Sequence, residues 1–181
     1  MTHMTDVPSK HKEHARKSAA VFVLTCSTSK AEEKRKGLPV GDPSGDIIEK
    51  LMREAGHRIT GRALIPDKIE LLRTTVRKAL KSDAEAIIIT GGTGIAPSDV
   101  TIEVIAPMLE KELPGFGELF RKISYDTIGS AAMMTRATAG VVGGKAIFCL
   151  PGSPDGVTTA VGKLIIAELG HVLSIARQGK A

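Results

Sequence analysis

Two aspartates and a glycine-rich turn are the residues of this chain whose types and spacing suit chemistry on a phosphate. Gly91, Gly92 and Gly94, with Thr93 among them, put three glycines in four residues. Without Cβ atoms the backbone can approach a ligand closely, and positive φ is open to it. Successive N–H groups in such a turn can point at one anion. Asp99 follows in Pro97-Ser98-Asp99, which reads as the opening of a helix, where negative charge is also favoured. Asp67 stands in Ile65-Pro66-Asp67, just past an apolar run. Two carboxylates beside a phosphate cradle suit Mg2+, which is commonly held by one or two carboxylates together with substrate phosphates. Each aspartate also has a plain reading as a cap: Asp67 and Glu70 have capping-box spacing, and Ser98 or Asp99 can serve as an N-cap. Ser44 and Gly45 open another expected helix and could add an anion contact or simply shape that start. The turn is neither a P-loop, since no Gly-Lys-Ser/Thr follows, nor GxGxxG. No Ser-His-Asp or Cys-His pairing is visible.

An alternation of strands and helices must position these groups. Ile87-Ile88-Ile89 is a short β-branched run, the mark of a strand buried on both faces of a parallel sheet. Residues 19–25, 57–65 and 145–150 read as further strands. Helices are expected after Asp42-Pro43, where Ile47, Ile48, Leu51, Met52 and Ala55 share a face that Gly56 closes. Others follow Asp67 (Ile69, Leu72, Val76, Leu80), span roughly 100–109 with a proline interruption, span 115–128, and run on from Pro154. Residues 26–41 read as a long polar loop, 131–139 as a small-residue segment, and 141–144 as a turn into the last strand. Such an order predicts one α/β domain with a mostly parallel sheet. The carboxyl ends of parallel strands lie along one edge, where these folds bind ligands. Residues 25–27, Asp67, the glycine turn and residues 151–154 each follow directly on a strand. Four loops are therefore expected to converge, with Ser27 among the candidate contacts.

The length of 181 residues suits one domain, with a basic arm over residues 1–18 and the domain over 19–181. His11 and His14 sit among lysines in that arm, which reads as solvated and disordered rather than as an RNA contact. Hydrophobic content of 42% with 25% charged residues is ordinary for a soluble globular protein. The apolar runs fall short of the ~20 residues of a membrane span, and no signal-peptide pattern opens the chain. A cytoplasmic protein without a membrane partner is expected. A net charge of +5 favours anionic ligands, while the absence of Trp and a single Tyr argue against a stacking platform for nucleic acid. Asparagine is absent and glutamine occurs once, a thermophile signature. Cys26 and Cys149 fit no metal spacing; two buried thiols are expected, with a disulfide open for a hyperthermophile.

TGGTG with APSDVT, ISYDTIGSAAMMTRATAG and LPGSP, in that order, resemble the MoaB/Mog family of molybdenum-cofactor biosynthesis. DPSGDIIEKLMREAGH and LIPDK look like its upstream motifs, and together the matches cover residues 19–173. The resemblance implies a three-layer α/β/α fold and a Mg2+-dependent molybdopterin adenylyltransferase that joins AMP from ATP to the terminal phosphate of molybdopterin, releasing pyrophosphate. It places the family's acidic positions on Asp67 and Asp99, the nucleotide and pterin loop on Gly91, Gly92, Thr93 and Gly94, and a second ligand loop on Pro151, Gly152, Ser153 and Pro154. Ser124, Thr135 and Arg136 fall in the segment that supplies further contacts, where Thr135 stands in place of the family's serine. The resemblance also implies a homo-oligomer, a trimer or hexamer, and exchange with the molybdenum-insertion protein of the pathway. Two rivals share these motifs: a nucleotide pyrophosphatase of the competence-damage type and a non-catalytic molybdopterin carrier.

Overall fold

The computed structural model describes residues 18–178, so the expected arm lies outside it except for Ser18. In chain order the elements are β1 (Ala20–Cys26), α1 (Thr28–Arg35), α2 (Pro43–Glu54), β2 (Arg58–Ile65), α3 (Ile69–Lys81), β3 (Ala86–Thr90) and α4 (Thr101–Ile105). After a 3-10 turn at Ala106–Met108 come β4 (Lys111–Glu112) and α5 (Pro114–Ile128). A second 3-10 turn, Gly129–Met134, leads to β5 (Thr138–Val142), β6 (Lys145–Leu150), α6 (Pro154–Ala160) and α7 (Ile166–Ala176). The six strands form one sheet in the order β2-β1-β3-β6-β5-β4. The first three pairings along that order are parallel and the last two antiparallel, so the sheet is mixed and mostly parallel.

Strand periodicity builds the three layers. Every residue of β3 is buried. Ile88 points to the face covered by Ile48 and Met52 of α2, Phe116 and Phe120 of α5, and Leu169 and Leu173 of α7. Ile87 and Ile89 point to the opposite face, against Leu72 and Val76 of α3 and Val104 of α4. Phe116 and Phe148 meet edge to face, with ring centroids 5.4 Å apart. Both faces of the sheet are covered, as a parallel sheet requires.

Asp42 and Pro43 open α2 as their types dictate: the Asp42 side chain accepts from Gly45 N, and proline occupies the first turn. Gly56 ends that helix at φ 85°. The last helical stretch, Pro154–Ala176, widens by one π turn at Val161–Ile165. Among the described residues it is the one helix long and apolar enough to cross a membrane. Its stripe of Val157, Val161, Ile165, Leu169 and Leu173 is buried against the sheet.

Three expectations need correction. Residues 26–41 are not all loop: α1 occupies Thr28–Arg35, and none of its residues is buried. A helix with no buried residue carries no apolar stripe, so periodicity could not reveal it. Residues 138–142 are a strand rather than the end of a small-residue segment, hairpinned to β6 through Gly143 and Gly144, both at positive φ. The two buried thiols expected are found, and of the cysteine readings only the alternative left open, a disulfide between Cys26 and Cys149, is excluded. Both thiols are free and buried on β1 and β6, and β3 lies between those strands. Two strand spacings, about 9–10 Å, exceed the Cα separation a disulfide can span.

Candidate functional site

The carboxyl ends of β1, β2, β3 and β6 open into one cleft of about 940 Å3. It collects the four expected loops: Ser27, Asp67, the glycine turn Gly91-Gly92-Thr93-Gly94 with Asp99, and Pro151-Gly152-Ser153. The glycine turn is pinned from beneath by Thr101, the first residue of α4. Thr101 Oγ1 donates to Gly91 O (2.8 Å) and Thr101 N to Gly92 O (2.9 Å). Gly91 and Gly92 sit at φ 91° and 64°. A Cβ on Gly92 would fall 2.7 Å from Asp67 Oδ1, and one on Gly94 would fall 2.6 Å from Asp99 Oδ2. The two carboxylates thus flank the turn at contact distance, and only glycine leaves room for them.

Each carboxylate is fixed through one oxygen. Thr28 N and Oγ1 donate to Asp67 Oδ2 (2.9 and 2.8 Å), while Asp67 N donates back to Thr28 Oγ1 (3.0 Å). The capping box expected of Asp67 is absent: α3 begins after Lys68 and no side chain caps it, because Asp67 is engaged by Thr28. Asp99 Oδ2 accepts from Ala96 N (2.9 Å), closing a turn over 96–99. Neither Ser98 nor Asp99 caps a helix, since α4 starts two residues later, at Thr101. Among the described residues no donor reaches Asp67 Oδ1 or Asp99 Oδ1.

The loop after β6, Pro151-Gly152-Ser153, is tied to the neighbouring elements of the cleft. Thr90 Oγ1 donates to Pro151 O (2.8 Å), and Ser44 Oγ, on α2, donates to Gly152 O (2.8 Å). Ser153 lines the cleft and caps α6 through Gly156 N (3.2 Å), with Pro154 in the first turn and outside the cleft. Gly45 also stays outside: its N–H is held by Asp42 Oδ1 (3.2 Å), and a Cβ there would overlap the Asp42–Arg62 pair. Ser124 lines a neighbouring pocket of about 320 Å3 between α5 and α6, which shares Thr135, Pro151 and Ser153 with the cleft. Thr135 Oγ1 is buried at that junction without a hydrogen-bond partner. Arg136 is not among the lining residues. Its guanidinium donates to Thr93 O (3.2 Å) and pairs with Glu103, so it grips the glycine turn from outside. That pairing holds the Glu103 carboxyl below its usual range, chiefly through the Arg136 hydrogen bond.

Sequence reasoning missed Thr28, Lys30, Thr101 and Glu103. Helicity in 28–35 would have put Thr28 and Lys30 in a first turn at the strand end, but that helix has no apolar signature. Thr101 closes the APSDVT motif and Glu103 lies two residues beyond it, and neither carries a sequence sign of what it touches.

The electrostatics exclude two chemistries. Burial pushes the Cys26 thiol up to about 12, against a weaker opposing hydrogen bond from Thr101, so the cysteine at the cleft wall is a neutral thiol at physiological pH. Among the described residues no histidine lines the cleft to act as a general base. Among the described residues no group of three or more His, Cys, Asp or Glu could hold a metal by itself.

A glycine turn at the carboxyl edge of a mostly parallel α/β sheet, flanked by carboxylates with one open oxygen each, places the chain among the α/β proteins whose strand ends open into a cleft of the kind that suits an anionic ligand. Residues 22–171 match the family described as "Probable molybdopterin binding domain". The chain is 42% identical to molybdenum cofactor biosynthesis protein B of Bacillus subtilis over 173 residues, covering 94% of this chain and 98% of that protein. It is 39% identical to molybdopterin adenylyltransferase of Pyrococcus furiosus, covering 93% and 98% of the two chains. A crystal structure of molybdenum cofactor biosynthesis protein B superposes with a TM-score of 0.82 at 39% identity, covering 91% of this chain and 99% of that one. The chain belongs to the MoaB/Mog family of molybdenum-cofactor biosynthesis proteins.

Proposed function

We propose that this protein is a molybdopterin adenylyltransferase, transferring AMP from ATP to the terminal phosphate of molybdopterin. A phosphate oxygen of molybdopterin forms a bond to the α-phosphorus of ATP, and the bond to the departing pyrophosphate breaks. The observation that carries this reading is the glycine turn with an open carboxylate oxygen on either side. A phosphate nucleophile is already ionised at neutral pH, so a cleft whose described lining holds neither a histidine nor an ionised thiol suffices. Positioning and charge neutralisation then supply the rate enhancement.

The donor set fits Mg2+. Asp67 Oδ1 and Asp99 Oδ1 would hold it, and with two carboxylates rather than a full protein cage, substrate phosphates would complete the coordination. Bound there, the ion would offset the negative charge of the phosphates. Without it, Asp67 and Asp99 face an anionic substrate with one lining cation, Lys30, among the described residues.

The test is incubation with molybdopterin, ATP and Mg2+, with and without chelator, following adenylylated product and pyrophosphate. Product in the absence of chelator supports the transferase. Molybdopterin binding without product identifies a carrier, and cleavage of nucleotides without molybdopterin identifies a pyrophosphatase. We also propose a homo-oligomer, a trimer or hexamer. Tyr125, Ile128, Met133 and Met134 are 62%, 56%, 80% and 53% exposed on consecutive segments, an apolar surface suited to a second copy. A monomer in light scattering at micromolar concentration contradicts that assembly.

A further inference from the structure

We propose that Lys30 is the cation that binds the ATP triphosphate, leaving a loose contact with Asp42 to do so. The proposal rests on the nucleotidyl-transfer reading and deepens it by adding a residue to that site. Among the described residues, Lys30 is the one cationic side chain lining the cleft, against the carboxylates Asp67 and Asp99. A triphosphate brings most of the negative charge that enters this space; in net charge, a single Mg2+ on Asp67 and Asp99 would do no more than offset those two carboxylates, so the triphosphate's own charge still calls for a cation in the lining. Arg136, beside the glycine turn but outside the lining, is engaged by Glu103 and the Thr93 carbonyl.

The position of Lys30 favours the role. It lies in the first turn of α1 with Thr28, the residue that clasps Asp67, so ammonium and carboxylate are carried on one rigid join between α1 and the end of β2. Lys30 Nζ is 3.7 Å from Asp42 Oδ1, beyond good hydrogen-bond length. Asp42 does not depend on it. Thr25 Oγ1 (2.6 Å), Arg62 Nη2 (2.9 Å) and Gly45 N (3.2 Å) already donate to that carboxylate, and Arg62 balances its charge. An ammonium shared with a neutralised carboxylate loses little on turning to a phosphate. Its flexible four-carbon stem with rotatable donors makes the move possible.

The test compares Lys30→Gln and Lys30→Arg with the unmodified protein. For Lys30→Gln, the KM for ATP and the inhibition constant for inorganic pyrophosphate are expected to rise about 10- to 100-fold, the range for a lost hydrogen bond to a charged group. Lys30→Arg recovers most of that loss. The melting temperature stays close to the parent, because the Asp42 contact is loose. Unchanged constants for ATP and pyrophosphate overturn the proposal, with or without a fall in melting temperature. So does a loss confined to molybdopterin binding. If the unmodified protein forms no adenylylated product, the transferase reading fails on its own. Calorimetric titration of ATP–Mg2+ and of inorganic pyrophosphate into the unmodified protein and Lys30→Gln then still decides the role of Lys30.

Discussion

Two acidic sites lie at the carboxyl edge of the sheet, one on either side of Lys30, and they are wired in opposite ways. Asp42 is buried, with its side chain 8% exposed, and both of its oxygens are taken: Oδ2 by Thr25 and Arg62, Oδ1 by Gly45, with Lys30 nearby. Asp67 and Asp99 border the open cleft and each accepts through Oδ2 alone. Burial works against the Asp42 charge, yet the hydrogen bonds from Thr25, Arg62 and Gly45 together hold its carboxyl below the usual range. The difference separates a carboxylate that organises the fold from two that are held in place with coordination to spare. The saturated carboxylate anchors a helix start; the other two each keep one oxygen facing the cleft without a donor among the described residues.

The comparison breaks most visibly at Asp99. Asp99→Asn keeps an oxygen for Ala96 N, so the turn and the melting temperature should survive, while the charge offered to the cleft is lost. The adenylylation rate is expected to fall on the order of 10²–10³, the loss for one electrostatic contact made mainly in the transition state. Molybdopterin binding should persist. Parallel assays of turnover, binding and melting on this one variant check it, and unchanged turnover removes Asp99 from the metal clamp.

Asp42 should show the converse, damage to stability before chemistry. Asp42→Ala leaves Arg62 and the Thr25 hydroxyl short of a partner and removes the α2 cap, at an expected cost of about 2–3 kcal/mol in chemical denaturation. The pH dependence has a definite sign. A carboxyl whose folded value lies below its ordinary 3.8 gives stability that is complete above that pH and is lost as pH falls through the lower folded value. Acid denaturation should therefore be steeper in the unmodified protein than in Asp42→Asn, and a parallel pair of curves would count against the saturated network.

Glu103 sharpens the contrast on a smaller scale, since its contact with Arg136 is partly solvated. Glu103→Gln should loosen the grip of Arg136 on the Thr93 carbonyl at a cost of about 1 kcal/mol, discounted for exposure. That is roughly fivefold in kcat/KM for ATP with little change in melting. A fall in melting temperature without a kinetic change would make the pair structural only.

Much of this edge was legible in residue order. The three isoleucines of β3 and the Asp42-Pro43 start of α2 carry local signals strong enough to place them, and parallel topology then forces the four loops together. What escaped were contacts between segments far apart in sequence. Asp67 has capping-box spacing with Glu70, yet Thr28, 39 residues away, takes its oxygen instead. Asp99 sits where a helix start is plausible, but the Gly91 and Gly92 carbonyls are best met by Thr101, which delays the helix. Arg136 carries the charge expected of a ligand contact, and its partner Glu103 lies 33 residues upstream. Local propensity supplied the options in each case, and a hydrogen bond from outside the local window chose among them, ten residues away at Gly91 and more than thirty at Asp67 and Arg136.

Thr135 extends the contrast from carboxylates to a single hydroxyl. Its Oγ1 is buried and unpartnered where the cleft meets the pocket lined by Ser124, whereas Thr25, Thr28, Thr90 and Thr101 nearby all have partners for theirs. A buried hydroxyl without a hydrogen bond costs stability, and valine has the same shape without the polar atom. Thr135→Val should therefore stabilise the ligand-free protein by about 0.5–1 kcal/mol, visible as a small rise in denaturation midpoint with an unchanged slope. If the hydroxyl is kept for a ligand, the same variant should bind molybdopterin several-fold more weakly, because the contact that redeems the orphan is gone. The two effects run in opposite directions, which is what distinguishes an unsaturated group held for function from an accident of packing. Greater stability with unchanged molybdopterin affinity would place Thr135 with the packing residues and leave Asp67 and Asp99 as the only groups here held in reserve.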